Sequence, residues 1–231
     1  VRRMKQLALD IGLSTRTTLD SFFSGPNEAA INHLRLWTSG GTRAPVPTYL
    51  WGETGSGKTH LLQAVYQALT EQGLAVGWLD SHTFNPPDFH DDWAAVLMDD
   101  VHLYNSEQQH TGFNWFVNAL TPRTGTPRWV LAAGQLPPAD LPLRDDLRTR
   151  LGWGHVYGLQ VLSEPERRAV LRQAAEARGL FLSDEVMGYM LKRFSRDLGS
   201  LMQLLDHLDH YALQTQRALT IPLLRAMLEN E

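Results

Sequence analysis

The chain has no cysteine, and lysine occurs only three times among its 231 residues. The first absence excludes disulfides, thiolate nucleophiles and thiolate metal centres, and it suits a reducing compartment, so a cytoplasmic location is expected. Long apolar runs are missing as well. No stretch approaches the roughly 20 residues that a membrane span needs, and no secretory signal precedes the first predicted element, so no membrane partner is expected. Nor is there an excess of positive charge: the net charge of −4 gives no general electrostatic grip on nucleic acid. What remains is 43% hydrophobic and 20% charged residues. That is the make-up of an ordinary globular chain, with room for one large α/β domain and a smaller helical one.

Because the basic charge rests almost wholly on arginine, the position of Lys58 stands out. It lies in Gly52-Glu53-Thr54-Gly55-Ser56-Gly57-Lys58-Thr59-His60, a complete Gly-x-x-x-x-Gly-Lys-Thr pattern. The apolar stretch Thr48–Trp51 before it reads as a strand, and residues 58–72 after it read as a helix ended by Gly73. Glycines at these positions let backbone N–H groups turn inward around a phosphate, and the helix start adds its unpaired donors and dipole. Lys58 supplies a mobile charge for the β- and γ-phosphates, and the Thr59 hydroxyl is placed for a magnesium ion. A nucleoside di- or triphosphate is the expected ligand. Within the helix, Leu61, Leu62, Val65, Tyr66 and Leu69 recur at helical spacing, which predicts one buried face.

Further strands are expected at 75–79, 94–98, 128–134 and 155–159, giving a five-stranded parallel sheet flanked by helices. The apolar run 94–98 ends in Asp99-Asp100, where open α/β sheets place their ligands. Two acids at a strand end are weak evidence by themselves. About forty residues after a complete phosphate loop, they are read as Asp99 holding the magnesium shell opposite Thr59 and Asp100 polarising an attacking water. His102 beside them is read as structural. Gln135 ends the fourth strand and is expected to point between Asp100 and the γ-phosphate. Residues 106–120 read as a helix capped by Ser106, with Phe113, Phe116, Val117 and Leu120 inward. Residues 143–154 form a short charged helix and a glycine-rich turn, in which Arg144 and Arg148 read as a solvated face.

From Ser163 the strand pattern ceases. Ser163, Pro165 and Glu166 make a helix start signal, and helices are predicted at 164–178, 184–194, 197–216 and 222–230. In the third, Asp206, His207, Asp209 and His210 bring two histidines only three apart with no third ligand in view, so a polar helix face is the better reading than a metal site. The domain reading is therefore 1–17 as a tail, 18–162 as the nucleotide-binding domain and 163–231 as a helical lid. In the tail, Gln6, Leu7, Leu9 and Ile11 form a short alternating stretch. By its residues alone it is either an arm packed on its own domain or an extended peptide for another protein's groove.

Taken together, the phosphate loop, the Leu97-Met98-Asp99-Asp100 strand end, Thr149-Arg150-Leu151-Gly152-Trp153-Gly154 and the helical lid resemble an AAA+ module of the DnaA type. The stretch Phe22-Phe23-Ser24-Gly25-Pro26-Asn27 is similar to that family's entry segment, which implies that Asn27 approaches the adenine. Arg196-Asp197-Leu198 looks like its second-sensor arginine, and Arg150 sits where the family carries its arginine finger. No helix-turn-helix domain is expected behind the lid, and the tail is similar to glutamine-leucine peptides that dock in the replicative sliding clamp, with Asp10 where tighter versions carry proline. This combination resembles the Hda family, regulatory inactivators of DnaA.

The resemblance implies an adenine-nucleotide-bound protein, holding ADP or ATP with magnesium. It would bind the DNA-loaded clamp, touch DNA only through it, and present Arg150 to ATP held by DnaA. Its own ATPase activity is expected to be weak, and AAA+ modules also associate with copies of themselves, which makes a homo-oligomer a further partner to consider. A helicase loader of the DnaC type and a free-standing P-loop ATPase are the other readings.

Overall fold

The structure, a computed structural model, describes residues 17–20, 22–39, 46–122, 125, 127–193, 198–215 and 219–229. The chain divides into an α/β unit, Thr17–Val161, and a helical unit that holds Leu162–Glu231. Among the described residues of the first unit, α1 (Glu28–Thr38) precedes β1 (Thr48–Trp51). There follow α2 (Lys58–Glu71), β2 (Ala75–Leu79), β3 (Trp93–Met98), α3 (Ser106–Leu120), β4 (Trp129–Gly134), α4 (Asp145–Leu151) and β5 (His155–Gly158).

The five strands form one parallel sheet in the order β2-β3-β4-β1-β5, as the alternation of apolar strands and helical stretches predicts. Side chains alternate between its two faces. Leu50, Leu97, Leu131 and Ala133 pack with Ile31, Leu34, Leu61, Leu62, Val65 and Leu69 of α1 and α2. Their neighbours Tyr49, Val96, Met98, Val130 and Ala132 pack on the other side with Trp115, Phe116, Leu147 and Leu151. Both faces are thus covered, which is why the strands read as unbroken apolar runs rather than alternating ones. Trp37 of α1 stacks on Trp129 of β4 with ring centroids 4.1 Å apart. Each fully buried leucine here contributes about 1.5–3 kcal/mol of apolar transfer.

Three local expectations are corrected. The cap of α3 is Asn105, not Ser106: Asn105 Oδ1 accepts the Gln108 backbone N–H at 2.9 Å, and Gln108 Oε1 accepts the Asn105 N–H at 2.9 Å. The two residue types cap equally well, and the reciprocal bond from Gln108 decides between them. The buried face of α3 is carried by Gly112, Trp115, Ala119 and, as expected, Phe116; Phe113 and Leu120 pack against the same core but only half-buried, and Val117 is half-buried as well. In α2, Tyr66 lies outside the apolar stripe and meets Trp78 edge-on at 5.8 Å.

The helical unit holds α5 (Glu164–Ala177), α6 (Asp184–Arg193), α7 (Leu198–Thr215) and α8 (Ile221–Glu229). Ser163 and Glu166 form its opening box, the Ser163 N–H donating to Glu166 Oε2 at 2.7 Å. Leu171, Ala175, Met187, Met190, Leu201, Leu205 and Leu224 make its core. Asp206 on α7 accepts from Arg178 Nε at 3.0 Å and serves that ion pair. Among the described residues no helix is long and apolar enough to cross a membrane.

Candidate nucleotide site

Parallel pairing puts the ends of β1, β3 and β4 along one edge of the sheet, and the residues singled out in the sequence follow those ends. After β1 the loop from Gly52 to Gly57 turns back on itself, with Gly55 at φ 83° and Gly57 at φ 92°. Both values lie in the left-handed region where a Cβ is disfavoured. At Gly52 the constraint is space, since a Cβ would stand 2.4 Å from the Leu159 carbonyl oxygen. A Cβ on Gly57 would stand 2.5 Å from the Phe22 ring, so the entry segment lies directly on the phosphate loop. Phe22 also meets His60, ring centroids 5.4 Å apart.

Lys58 is buried, and its ammonium donates to the Gly52 carbonyl at 2.8 Å and the Glu53 carbonyl at 2.9 Å. Ser56 Oγ lies 3.5 Å away. Burial lowers the Lys58 pKa, and the carboxylates of Asp100 and Asp99 pull it back up. The ammonium therefore sits inside the hollow of the loop, facing two acids. Thr59, the next residue of α2, donates its hydroxyl to Asp99. Asp99 is buried, and burial pushes its carboxyl up to about 6, aided by Asp100 and opposed by the bonds from Thr59 and the Asp100 N–H and by Lys58. A hydroxyl and a carboxylate in contact, beside a cation in a ring of carbonyls, form an all-oxygen donor pair suited to a hard divalent ion carrying its own waters.

Asp100 adopts a left-handed conformation, φ 49° and ψ 40°, tolerated in aspartate better than in most residues. The bend starts the short turn Val101–Leu103 and brings His102 toward β4, where the Gln135 backbone N–H reaches His102 Nδ1 at 3.3 Å. Burial lowers the His102 pKa, as does Lys58, against Asp100. Nδ1 therefore acts as the acceptor in a neutral ring. Gln135 itself is exposed; the side chain that ties the ends of β3 and β4 together is that of His102, which spacing alone left as a structural residue.

Asn27 is 4% exposed, with both ends of its amide engaged: Nδ2 donates to the Gln160 carbonyl at 2.9 Å and Oδ1 accepts the Gln160 N–H at 2.8 Å. The amide pins the entry segment to the chain that leaves β5. His60 is tied to the Thr18 backbone, its Nε2 is buried without a partner, and burial keeps its pKa low. Thr54, Gly55 and Ser56 complete the loop.

Arg150 belongs to a second place. Its Nη1 donates to the Asp146 carbonyl at 3.0 Å, and its guanidinium carbon lies 4.6 Å from the Phe113 ring centre and 5.3 Å from that of Trp153. None of these contacts reaches the phosphate-loop residues. Gln6, Leu7, Leu9, Ile11 and Arg196 lie outside the described residues.

Two family models match the sequence. One, described as the bacterial DnaA ATPase domain, covers residues 13–86, and the other, described as the lid domain of Hda, covers residues 164–228. Among solved structures, domain III of the replication initiation protein DnaA from Thermotoga maritima is similar at 22% identity and a TM-score of 0.73, over 93% of this chain and 96% of that one. AMPPCP-bound DnaA from Aquifex aeolicus is similar at 21% identity and a TM-score of 0.64, over 89% of this chain and 69% of that one. The RuvB Holliday junction branch migration motor of Thermotoga maritima shares the fold at 14% identity and a TM-score of 0.64, over 93% of this chain and 72% of that one.

Proposed function

Because the chain is an Hda-type, DnaA-like AAA+ protein, we propose that it restrains replication initiation by stimulating hydrolysis of ATP bound to DnaA. In this reading the loop from Gly52 to Thr59 holds an adenine nucleotide of the protein's own, ADP or ATP, as AMPPCP is held by the Aquifex relative. Backbone N–H groups and Lys58 bind its phosphates, and Thr59 with Asp99 would hold its magnesium ion, which neutralises phosphate charge when bound. Asn27 and His60 border the base side, and Asp100 with Gln135 and His102 sets what hydrolysis the site itself performs. The tail Gln6, Leu7, Leu9 and Ile11 docks on the DNA-loaded sliding clamp, so that DNA is reached through the clamp in the cytoplasm.

The catalytic contribution lies in trans. DnaA packs against the α/β unit so that Arg150 meets the γ-phosphate of the partner's ATP, where a fixed positive charge stabilises the transition state. The observation that carries this reading is the state of Arg150: among the described residues its guanidinium forms no ion pair, and it is supported on aromatic rings. The test is a single-turnover assay of DnaA-bound ATP with loaded clamp present. Arg150→Ala is expected to lose on the order of 10³ in stimulation, the lower end for arginine fingers. Undiminished stimulation would sink the reading.

A further inference from the structure

We propose that Phe113 and Trp153 are positioning residues that hold the Arg150 guanidinium as a preformed cation outside any ion pair among the described residues; the inference rests on the trans role of Arg150 just given. The segment from 144 to 153 carries three arginines and two aspartates, and both acids are already taken. Asp146 receives Arg144 in bidentate fashion, 2.7 Å from Nε and 2.7 Å from Nη2, and Asp145 receives Arg148 at 2.7 Å. Arg150 feels the Asp146 carboxylate through space, but among the described residues its direct contacts are one backbone carbonyl, that of Asp146, and two rings.

The difference between a ring and a carboxylate decides what such a cation can do. A carboxylate would hold the guanidinium but cancel its charge and compete with an incoming phosphate. The face of an aromatic ring attracts the cation through its quadrupole and leaves the net charge intact. Arginine otherwise carries about 2 kcal/mol of rotamer entropy, so a guanidinium ordered beforehand loses less of its freedom when the reaction needs it.

Of the two rings, Phe113 is anchored, packed against the core under α3. Phe113 stands on α3 beneath both Arg150 and Arg144, the latter 5.1 Å from its centre. The Arg144 backbone N–H is in turn tied to Gln109 Oε1 of the same helix at 3.0 Å. Trp153 follows the end of α4 and stays 62% exposed, too much for a core residue and consistent with a ring whose contact is the cation. The alternative is ordinary surface stacking of an arginine on aromatics, which would affect stability or nothing.

The experiment measures stimulation of DnaA-bound ATP hydrolysis while the protein is titrated, which separates the maximal rate from the half-saturating concentration. Phe113→Leu and Trp153→Ala are each expected to lower the maximal rate about 5-fold to 30-fold, the worth of a partly desolvated cation–π contact, with half-saturation unchanged within about 2-fold. Phe113→Tyr and Trp153→Phe should restore it. Thermal midpoint and affinity for ADP should stay at the parent values in the Trp153 variants, because that ring is exposed and far from the phosphate loop in its contacts. A parent-level maximal rate in Phe113→Leu and Trp153→Ala, failure of the aromatic replacements to rescue, or a change in half-saturation alone would overturn the proposal. If Arg150→Ala abolishes stimulation while the ring variants do not, only this inference falls. If Arg150→Ala stimulates fully, the trans role falls with it.

Discussion

Lys58 and Arg150 are the two cations on which the functional reading depends, and the fold holds them in opposite ways. Lys58 is buried among neutral backbone carbonyls with two acids facing it. Arg150 lies half-exposed on aromatic rings, its neighbouring acids claimed by other arginines. Neither forms an ion pair among the described residues, so both charges remain available to an anion. The hollow of a glycine loop can serve only a ligand that enters it, whereas a cation on an open surface can serve only a ligand brought by something else. On the function proposed above, one chain would carry both halves of a nucleotide site that is completed between molecules.

The widest break in that comparison is expected from Lys58→Ala. Two or more charge-assisted bonds to phosphate would be lost, about 3–4 kcal/mol in all, which is a 10²–10³-fold weaker Kd for ADP. Arg150→Ala should leave the same Kd unchanged within about 2-fold. Isothermal titration calorimetry of both variants checks the pair. Equal loss in the two would mean that they serve one site and that the division drawn here is wrong.

Asp99 sharpens the comparison through pH. Its carboxyl is raised by burial to about 6 in the fold from a reference of 3.8, so the folded state binds the proton more tightly than the unfolded one. The corresponding stability is fully present below about pH 4 and is lost as pH rises through about 6. In chelator without nucleotide, Asp99→Asn should therefore stabilise the protein at pH 7.5 by roughly 2–3 kcal/mol, with about half of that gain left at pH 5. His33, His60 and His102, all lowered by burial, act in the opposite sense in both proteins: their contribution is present above about pH 6.5 and is lost as pH falls below it through their lowered folded values, and it cancels in the difference. Chemical denaturation at the two pH values measures it. A gain that does not depend on pH would show that the Asp99 carboxyl is not raised.

Much of the site was legible because its chemistry is local. The loop pattern, the acids after the β3 run and the helix start at Ser163 are each written within a few consecutive residues, and the parallel sheet follows from apolar runs separated by helical stretches. What escaped depends on contacts between distant segments. The stacking of Phe113 on Arg150 joins α3 to α4, and periodicity could only suggest that Phe113 faced the core. His102 meets Gln135 because Asp100 bends the chain, and nothing in an Asp-Asp pair announces that bend. At α3, two adjacent residues could each cap the helix, and the partner that chose Asn105 lies in the first turn. Phe22 was readable as an entry aromatic, but its seat on Gly57 was not.

That seat gives a smaller effect on the loop side. Gly57→Ala forces a Cβ into the left-handed region and against the Phe22 ring, at a cost of about 1–2 kcal/mol to stability. The ring can turn aside where a backbone could not, which keeps the cost moderate. Gly57→Ala combined with Phe22→Ala should recover the steric part and leave the strain of the left-handed backbone, so the double variant should be more stable than the two single losses added together. Strict additivity of the unfolding free energies would show that Phe22 does not constrain Gly57.

The smallest effect is expected next to Arg150. Arg148 forms an ion pair with Asp145 at 2.7 Å, but the side chains are 37% and 87% exposed, so water screens the attraction and ordering two mobile chains offsets much of it. Arg148→Ala should change stability by no more than about 0.5 kcal/mol and leave stimulation of DnaA-bound ATP hydrolysis near the parent rate. Asp145, freed by that change, is exposed and bonded to α4 only through its carbonyl, which accepts the Thr149 hydroxyl at 2.6 Å. A large loss of stimulation in Arg148→Ala would mean that the freed carboxylate does capture Arg150, in which case the pairing of Arg148 with Asp145 is what keeps the finger uncompensated. Adding Asp145→Asn would then restore the rate.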